Sequence, residues 1–133
     1  MNYLGSLPRP FLDRFKLKVQ FEPYPDDEIV DVIAHAAAKL GIEISGPAMN
    51  EIAHKSRGVP RISIRLLEKA RDVCVVDGKY RGRINLLCVE EMFRVNGIDN
   101  LGLTRLDRKV LKYMAETVRP IGLSSISQVV EED

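Results

Sequence analysis

Four stretches of this chain repeat apolar residues at the spacing of an α-helix, and each stretch ends at a glycine: Gly41, Gly58, Gly78 or Gly97. A glycine just after the last apolar residue is typical of a helix that closes in a left-handed conformation. The pattern therefore predicts four amphipathic helices with short links, packed as a compact, mainly helical bundle over residues 26–97.

The start of each predicted helix has its own signal. The first begins at the acidic run 26–28, whose charges favour a helix N-terminus. The others begin near Ser45, at Pro60 and after the capping residue Asn85. The third is predicted to end at Asp77–Gly78. The residues predicted to face the core are Ile29, Ile33, Ala36, Ala37, Leu40, Met49, Ile52, Ala53, Ile62, Leu66, Leu67, Ala70, Val73, Cys74, Leu86, Val89, Met92 and Phe93.

The N-terminal residues 1–25 carry prolines that forbid a long helix, so we expect irregular or extended chain there. Within this segment Phe15, Leu17, Val19 and Phe21 alternate with polar residues. A period of two indicates a β-strand, which would end between Phe21 and Tyr24.

The C-terminal part begins with the sequence DNLGL (99–103), which predicts a short hinge. Thr104 and Asp107 are spaced as a capping box for a fifth helix. Its predicted apolar face consists of Leu106, Val110, Leu111 and Met114, and its outer face of Arg105, Arg108, Lys109 and Lys112. A sixth helix is predicted from Ser124 through Val130, so the two resemble the beginning of a helix-turn-helix.

The composition is that of an ordinary globular chain. Hydrophobic residues make up 45% and charged residues 29% of the 133 residues, and the formal net charge is +1. This charge excludes a strongly basic protein of the kind that coats nucleic acid, but it does not exclude a local basic face. No apolar run reaches the roughly 18 residues of a membrane span, and no signal-peptide pattern follows Met1, so a cytoplasmic location is expected.

The sequence contains no pattern typical of a self-contained enzyme or metal site. A P-loop, a dinucleotide-binding glycine pattern, C-x-x-C and H-E-x-x-H are all absent. His35 and His54 are isolated helical residues, and helix capping explains the acidic run 26–28 better than catalysis does. Cys74 and Cys88 lie on apolar stripes, which favours buried thiols over a disulfide or metal ligands. We expect no catalysis by this chain alone.

Arg61 occupies an unusual position, because it lies in the first turn of the helix that begins at Pro60. A cation there faces the positive end of the helix dipole, at a cost of about 0.3–1 kcal/mol. An anion close to Arg61 would offset this cost. From the residues alone, a surface ion pair with Glu22 or Glu28 is one candidate, and a bound anion is another.

The segment SRGVPRISIRLLEKARD (56–72) resembles part of the small helical lid of RuvB, a family of AAA+ ATPases that drive branch migration of Holliday junctions. In that family a Gly-Thr-Pro-Arg tetrad supplies the "sensor 2" arginine, which contacts the nucleotide phosphates. Here the tetrad has Val59 in place of Thr, while Pro60 and Arg61 are kept. The resemblance implies that Pro60 and Arg61 bind nucleotide.

Three further segments resemble the same family in the same order. SLPRPFLDRF (6–15) is similar to the end of the large ATPase domain, which implies that Arg14 is a catalytic, arginine-finger residue that reaches a neighbouring subunit's nucleotide. VQFEPY (19–24) is similar to the start of the lid, which implies that Tyr24 contacts the nucleotide. NGIDNLGLTRLDRKVL (96–111) resembles the link to a winged-helix domain.

The resemblance implies a division into residues 1–25 as the end of an AAA+ ATPase domain, 26–98 as the lid, and 99–133 as the incomplete start of a winged-helix DNA-binding domain. It implies ATP or ADP as ligand, with Mg²⁺ held by an ATPase domain that would precede Met1. It also implies Holliday-junction DNA, a ring of subunits and a junction-recognising protein as partners. The full-length relative would be an ATPase, whereas this chain lacks the P-loop.

Two other functions are compatible with the residues. The chain could be a helical protein-interaction module or remnant without nucleotide or DNA activity. Residues 104–130 could alternatively form a helix-turn-helix DNA binder that uses the basic outer face of the fifth helix. The near-zero net charge and the incomplete motif count against this second alternative.

Overall fold

In the computed structural model, which describes residues 9–17, 19, 21–76, 83–117 and 120–131, helices dominate and the strands are two residues long. The elements in chain order are α1 (Arg9–Leu12), α2 (Asp26–Leu40), β1 (Glu43–Ile44), α3 (Gly46–Lys55), α4 (Pro60–Val76), β2 (Arg83–Ile84), α5 (Leu86–Val95), α6 (Arg105–Glu116) and α7 (Leu123–Glu131). The predicted mainly helical fold is confirmed.

Helices α2 to α5 form the bundle predicted from the periodicity. Helix α4 packs against α2, α3 and α5, and α2 also packs against α3. Most of the predicted inward residues are buried, and Leu40, which is 44% exposed, is a wrong prediction. The side chains of Cys74 and Cys88 are buried, as predicted. The buried apolar residues are Ile29, Ile33, Ala37, Ile42, Ala48, Ile52, Ala53, Leu66, Leu67, Ala70, Cys74, Ile84, Cys88, Val89, Met92 and Phe93.

Several predicted helix ends are confirmed by the backbone geometry. Gly41 follows α2 in the left-handed conformation, with φ of 64°. The Asn85 side chain accepts a hydrogen bond of 3.0 Å from the Cys88 N–H and so caps α5. Thr104 and Asp107 form the complete capping box of α6. The predicted stop at Asp77–Gly78 lies outside the described residues.

A pair of short parallel strands joins two of the links between the helices. Glu43 of β1 lies beside Arg83 of β2, and Ile44 lies beside Ile84. The Ser45 N–H donates to the Ile84 carbonyl at 2.9 Å, and Ile84 is fully buried. The sequence analysis missed these strands, because a period-two pattern cannot be recognised over two residues.

The strand predicted at residues 15–21 is wrong for the part of that segment that the structure describes. Lys18 and Gln20 lie outside the described residues. Phe15, Val19 and Phe21 have no strand conformation and are 54%, 62% and 90% exposed. Within the described residues the segment has no neighbouring strand to pair with, and a single strand leaves its backbone groups unpaired. The short helix α1 also replaces part of the expected irregular chain.

The segment predicted as a hinge is a hydrogen-bonded loop. The Asp99 carboxylate accepts bonds of 2.9 Å from the N–H groups of Leu101 and Leu103, and it lies 3.1 Å from the Arg108 guanidinium. The bond from Leu103, followed by those from Arg108 and Leu101, lowers the pKa of Asp99 against the raising effect of burial. The bond from the Thr104 N–H likewise lowers the pKa of Asp107.

Leu67→Ala is expected to lower the free energy of unfolding by about 2–5 kcal/mol, because Leu67 is fully buried and the truncation leaves a cavity. Leu87→Ala removes the same atoms from a side chain that is 71% exposed, and we expect a change below about 0.5 kcal/mol. Urea unfolding followed by circular dichroism measures both values. Equal losses in the two variants would contradict the packing described for α4.

The stability of the chain is expected to fall as the pH is lowered below about 4, the usual range of an aspartate pKa. Asp99 and Asp107 have lowered pKa values in the folded chain, so their contribution is present above the unfolded pKa and is lost as the pH falls through the folded pKa. Asp99→Asn should lower the urea midpoint at neutral pH and flatten its pH dependence. Glu90→Gln, at an exposed position on α5, serves as the control. Parallel pH profiles for the wild type and Asp99→Asn would contradict this assignment.

Candidate functional site

The turn between α3 and α4 is built from two consecutive left-handed residues, Arg57 with φ of 56° and Gly58 with φ of 69°. This conformation costs a residue with a Cβ about 1–2 kcal/mol, so Arg57 is held there by its surroundings. The Val59 carbonyl then accepts from the N–H groups of Ile62 and Ser63 at 2.9 and 3.2 Å, which begins α4. The turn therefore fixes the direction in which α4 leaves.

Tyr24 lies directly on this turn through its backbone. Its N–H donates to the Gly58 carbonyl at 2.9 Å. A Cβ on Gly58 would lie only 2.5 Å from the Tyr24 carbonyl oxygen and 2.7 Å from the Pro23 Cβ. Gly58 is thus needed both for its φ and for this close approach, whereas the sequence predicted only its role in ending a helix. The Tyr24 side chain remains 48% exposed.

Pro60 and Arg61 form the first turn of α4, immediately after the residues that contact Tyr24. The Pro60 carbonyl accepts a bond of 2.8 Å from the Ser63 hydroxyl. Arg61 is exposed. The structure therefore brings three of the predicted site residues, Tyr24, Pro60 and Arg61, to one place through Gly58.

Arg61 has no acidic partner among the residues that the structure describes. The alternative of an ion pair with Glu22 or Glu28 is therefore wrong, although both acids lie in the described ranges. Within those ranges no carboxylate pairs with the positive charge in the first turn of α4, and the Arg61 side chain is exposed to solvent. Arg65 lies one turn later, is also exposed, and is likewise without an ion pair in those ranges.

Arg14 belongs to the segment that follows α1. It is exposed just after α1, where its backbone N–H donates to the Phe11 carbonyl at 3.3 Å. The rings of Phe11 and Phe15 meet edge to face with centroids 5.3 Å apart on either side of it in the sequence. In the described ranges, no hydrogen bond joins Arg14 to Tyr24. The structure therefore links Tyr24 to the turn before Pro60 and Arg61, and it shows no such link for Arg14.

A long-range pair that the sequence did not predict ties the same region together. His54 Nδ1 at the end of α3 lies 3.3 Å from an Asp26 carboxylate oxygen at the start of α2. His54 had no visible partner in the sequence because Asp26 is far from it along the chain. The pair places the beginning of α2, which follows Tyr24, beside the end of α3.

The basic outer face of α6 is partly neutralised by acidic residues of the chain itself. Arg108 pairs with Asp99 at 3.1 Å, and Lys112 lies 3.9 Å from Glu116. The Arg105 side chain covers the Cα of Gly97. These pairings favour a helix face that is simply exposed to solvent over a face whose cations bind DNA phosphates.

A family model decides the relationship of this bundle to known proteins. The model of the RuvB AAA lid domain matches residues 24–99. The chain belongs to the RuvB family. The matched span begins at Tyr24 and ends at Asp99, the residue whose carboxylate organises the loop before α6.

Individual RuvB proteins are similar over nearly the whole chain. The Holliday junction branch migration complex subunit RuvB of Thermosipho melanesiensis is 38% identical over 128 residues, which are 95% of this chain and 40% of that protein. The same subunit of Thermobifida fusca is 39% identical over 97% of this chain and 37% of that protein. The solved Thermotoga maritima RuvB Holliday junction branch migration motor superposes with a TM-score of 0.83 at 35% identity, over 96% of this chain and 43% of that chain. The chain therefore spans about two fifths of the length of these relatives.

The described parts of the molecule contain neither a metal-binding cluster nor a membrane-spanning helix. Within those ranges no group of three or more His, Cys, Asp or Glu residues could hold a metal ion. None of the helices there is both long and apolar enough to cross a membrane. The candidate site of this RuvB-family chain consists of Pro60 and Arg61 at the start of α4 and of Tyr24, whose backbone bonds to the turn before them.

Gly58→Ala is expected to destabilise the chain more than Gly41→Ala does. Both glycines are left-handed, so both substitutions carry the backbone strain of about 1–2 kcal/mol. A Cβ at position 41 meets no atom within 4 Å, whereas a Cβ at position 58 collides with the Tyr24 backbone. The midpoint of thermal or urea unfolding compares the two variants directly. Equal midpoints would contradict the close contact between Gly58 and Tyr24.

Proposed function

We propose that this chain is the nucleotide-sensing part of a RuvB-type ATP-dependent motor that drives branch migration of Holliday junctions in recombination and repair. In this proposal residues 26–98 are the lid, residues 1–25 end an AAA+ ATPase domain, and residues 99–133 begin a winged-helix domain. The observation that carries the proposal is the exposed Arg61, which has no acidic partner in the described ranges and follows the turn to which the Tyr24 backbone is bonded.

Arg61 is proposed to contact the phosphates of ATP or ADP. Its guanidinium is always charged and offers a planar fork that matches phosphate oxygens, so the anion missing from its surroundings would be supplied by nucleotide. Because Arg61 is attached to the rigid helix α4, its distance from the phosphates depends on the position of the whole lid. ATP and ADP present different charge to Arg61 and would therefore stabilise different lid positions.

Tyr24 and Pro60 are proposed to border the same nucleotide. The bond from the Tyr24 N–H to Gly58 fixes its backbone, while its half-exposed ring remains available to stack on a base or ribose. Pro60 has no N–H and begins α4 without leaving a donor unpaired, which lets the chain turn tightly before Arg61.

Arg14 is proposed to act on the nucleotide bound by a neighbouring subunit. Its exposed position after α1 leaves the guanidinium accessible to a neighbouring subunit. Such arginines stabilise the charge that develops on the transferred phosphoryl group. This role requires a ring of subunits, and the proposal also includes Holliday-junction DNA, a junction-recognising protein and Mg²⁺ held by an ATPase domain.

Arg61→Ala should separate function from stability. In an ATPase that carries this chain as its lid, we expect ATP turnover to fall by at least about tenfold, because a bidentate contact to phosphate is lost. In the isolated chain the unfolding free energy should stay unchanged or rise by up to about 1 kcal/mol, because a cation leaves the positive end of the α4 dipole. Steady-state hydrolysis and urea unfolding measure the two effects.

Arg65→Ala is the matched control, since Arg65 lies one turn further along the exposed face of α4 and is also without an ion pair in the described ranges. This variant should keep nearly full ATP turnover. Unchanged turnover in Arg61→Ala would exclude the proposed phosphate contact. If Arg61→Ala lowered the ATP turnover and also lowered the unfolding free energy of the isolated chain, Arg61 would be a structural residue instead.

A further inference from the structure

The turn that carries the candidate site also contacts the loop before α6. Lys55, the last residue of α3, packs against Gly102 of that loop. A Cβ on Gly102 would lie 2.4 Å from the Lys55 carbonyl oxygen, and Gly102 is buried with φ of 72°. The loop and the end of α3 therefore meet backbone to backbone, in the same way that Tyr24 meets Gly58.

Lys55 is itself held firmly in place. Its Nζ lies 3.0 Å from a Glu51 carboxylate oxygen and 4.1 Å from the centre of the Phe93 ring. Only 7% of Lys55 is exposed. Contacts from both its own helix and α5 thus fix the backbone on which Gly102 rests, so the loop packs against a rigid surface.

Arg57 provides a second contact in the same direction. Its guanidinium lies 4.0 Å from the Asp107 carboxylate, which belongs to the capping box of α6. The Asp107 carboxylate also accepts from the Thr104 N–H at 2.9 Å. A displacement of Arg57 would therefore act on the first turn of α6, while Gly58, the next residue, acts on the Tyr24 segment.

We propose that the turn Lys55–Gly58 mechanically couples the Tyr24 segment on one side to the loop 99–104 and α6 on the other. Three of these four consecutive residues make the contacts: Gly58 approaches the Tyr24 backbone, Lys55 approaches Gly102, and Arg57 pairs with Asp107. A shift of Tyr24 and Arg61 is thus transmitted to α6, and a shift of α6 is transmitted back. The use of this coupling to pass nucleotide state to the segment after the lid rests on the proposed function.

Coupling between two sites is reciprocal, so each side can be perturbed and the other observed. Gly102→Ala should accelerate hydrogen exchange of the Tyr24 amide, which bonds to Gly58 and does not touch Gly102. Relative to the buried Ala70 amide, whose exchange reports global opening, we expect the Tyr24 amide to exchange about fivefold faster or more. Fivefold is the lower end of the usual range for coupling between two sites. Gly58→Ala should accelerate the Leu103 amide in the same way.

Gly41→Ala is the control, because it introduces the same left-handed strain at a position where a Cβ meets nothing. In this variant the ratio of Tyr24 to Ala70 exchange should not change. The proposal is overturned if Gly102→Ala also leaves that ratio unchanged.

Arg57→Gly tests the same coupling without a steric clash, in case Gly102→Ala prevents folding. Glycine adopts the φ of 56° freely, so the variant should fold, but it loses the contact with Asp107 and loosens the turn. Exchange of the Tyr24 and Leu103 amides should then rise together relative to Ala70. Acceleration of only one of them would overturn the proposal.

The outcome is independent of the proposed function, because these exchange experiments contain no nucleotide. Turnover in Arg61→Ala decides whether Arg61 contacts phosphate, and exchange in Gly102→Ala decides whether the turn couples its two sides. If the exchange experiments show coupling but Arg61→Ala keeps its turnover, the turn still connects its two sides, and the phosphate contact is excluded. If Arg61→Ala loses turnover but the exchange experiments show no coupling, the phosphate contact stands, and the turn does not transmit its effect to α6.

Discussion

Burial of one face of α4 is the constraint on which the rest of the structure depends. Its stripe of Leu66, Leu67, Ala70 and Cys74 is enclosed by α2, α3 and α5. A fully buried leucine contributes about 1.5–3 kcal/mol, so this packing outweighs the smaller preferences of the links and caps. The same helix begins with Pro60 and Arg61. The core therefore determines where the guanidinium lies, although Arg61 itself is exposed.

Two close backbone contacts flank the turn before α4. Gly58 and Gly102 each lie against another stretch of main chain at a distance that leaves no room for a Cβ. Contacts of this kind have little freedom, because a peptide group cannot change rotamer as a side chain can. The region is consequently better suited to transmit small displacements than a cluster of flexible surface charges would be.

Much of the fold could be predicted because its signals are local. Apolar periodicity identified α2 to α5, and single capping residues such as Asn85 and Thr104 located helix starts. The predicted strand at 15–21 failed because alternation specifies a strand only when another strand is available to pair with it. The strands β1 and β2 and the pair of His54 with Asp26 were missed, since each joins residues distant in sequence.

The candidate site was predicted less completely than the fold. Resemblance to RuvB pointed to Arg14, Tyr24, Pro60 and Arg61, and their roles toward nucleotide remain predictions. The structure adds that the Tyr24 backbone bonds to the turn from which the helix of Arg61 begins. Neither periodicity nor a motif could indicate the approach of Tyr24 to Gly58, because it depends on the space left between two backbones.

The enclosure of Lys55 has a chemical consequence. Most lysine amines in a protein react readily with acylating reagents because they project into water. The Lys55 amine, between Glu51 and the Phe93 ring, is shielded from such reagents while α3 and α5 remain packed. The rate at which Lys55 is acylated therefore measures how often the packing between α3 and α5 opens, and the native chain needs no introduced label for this measurement.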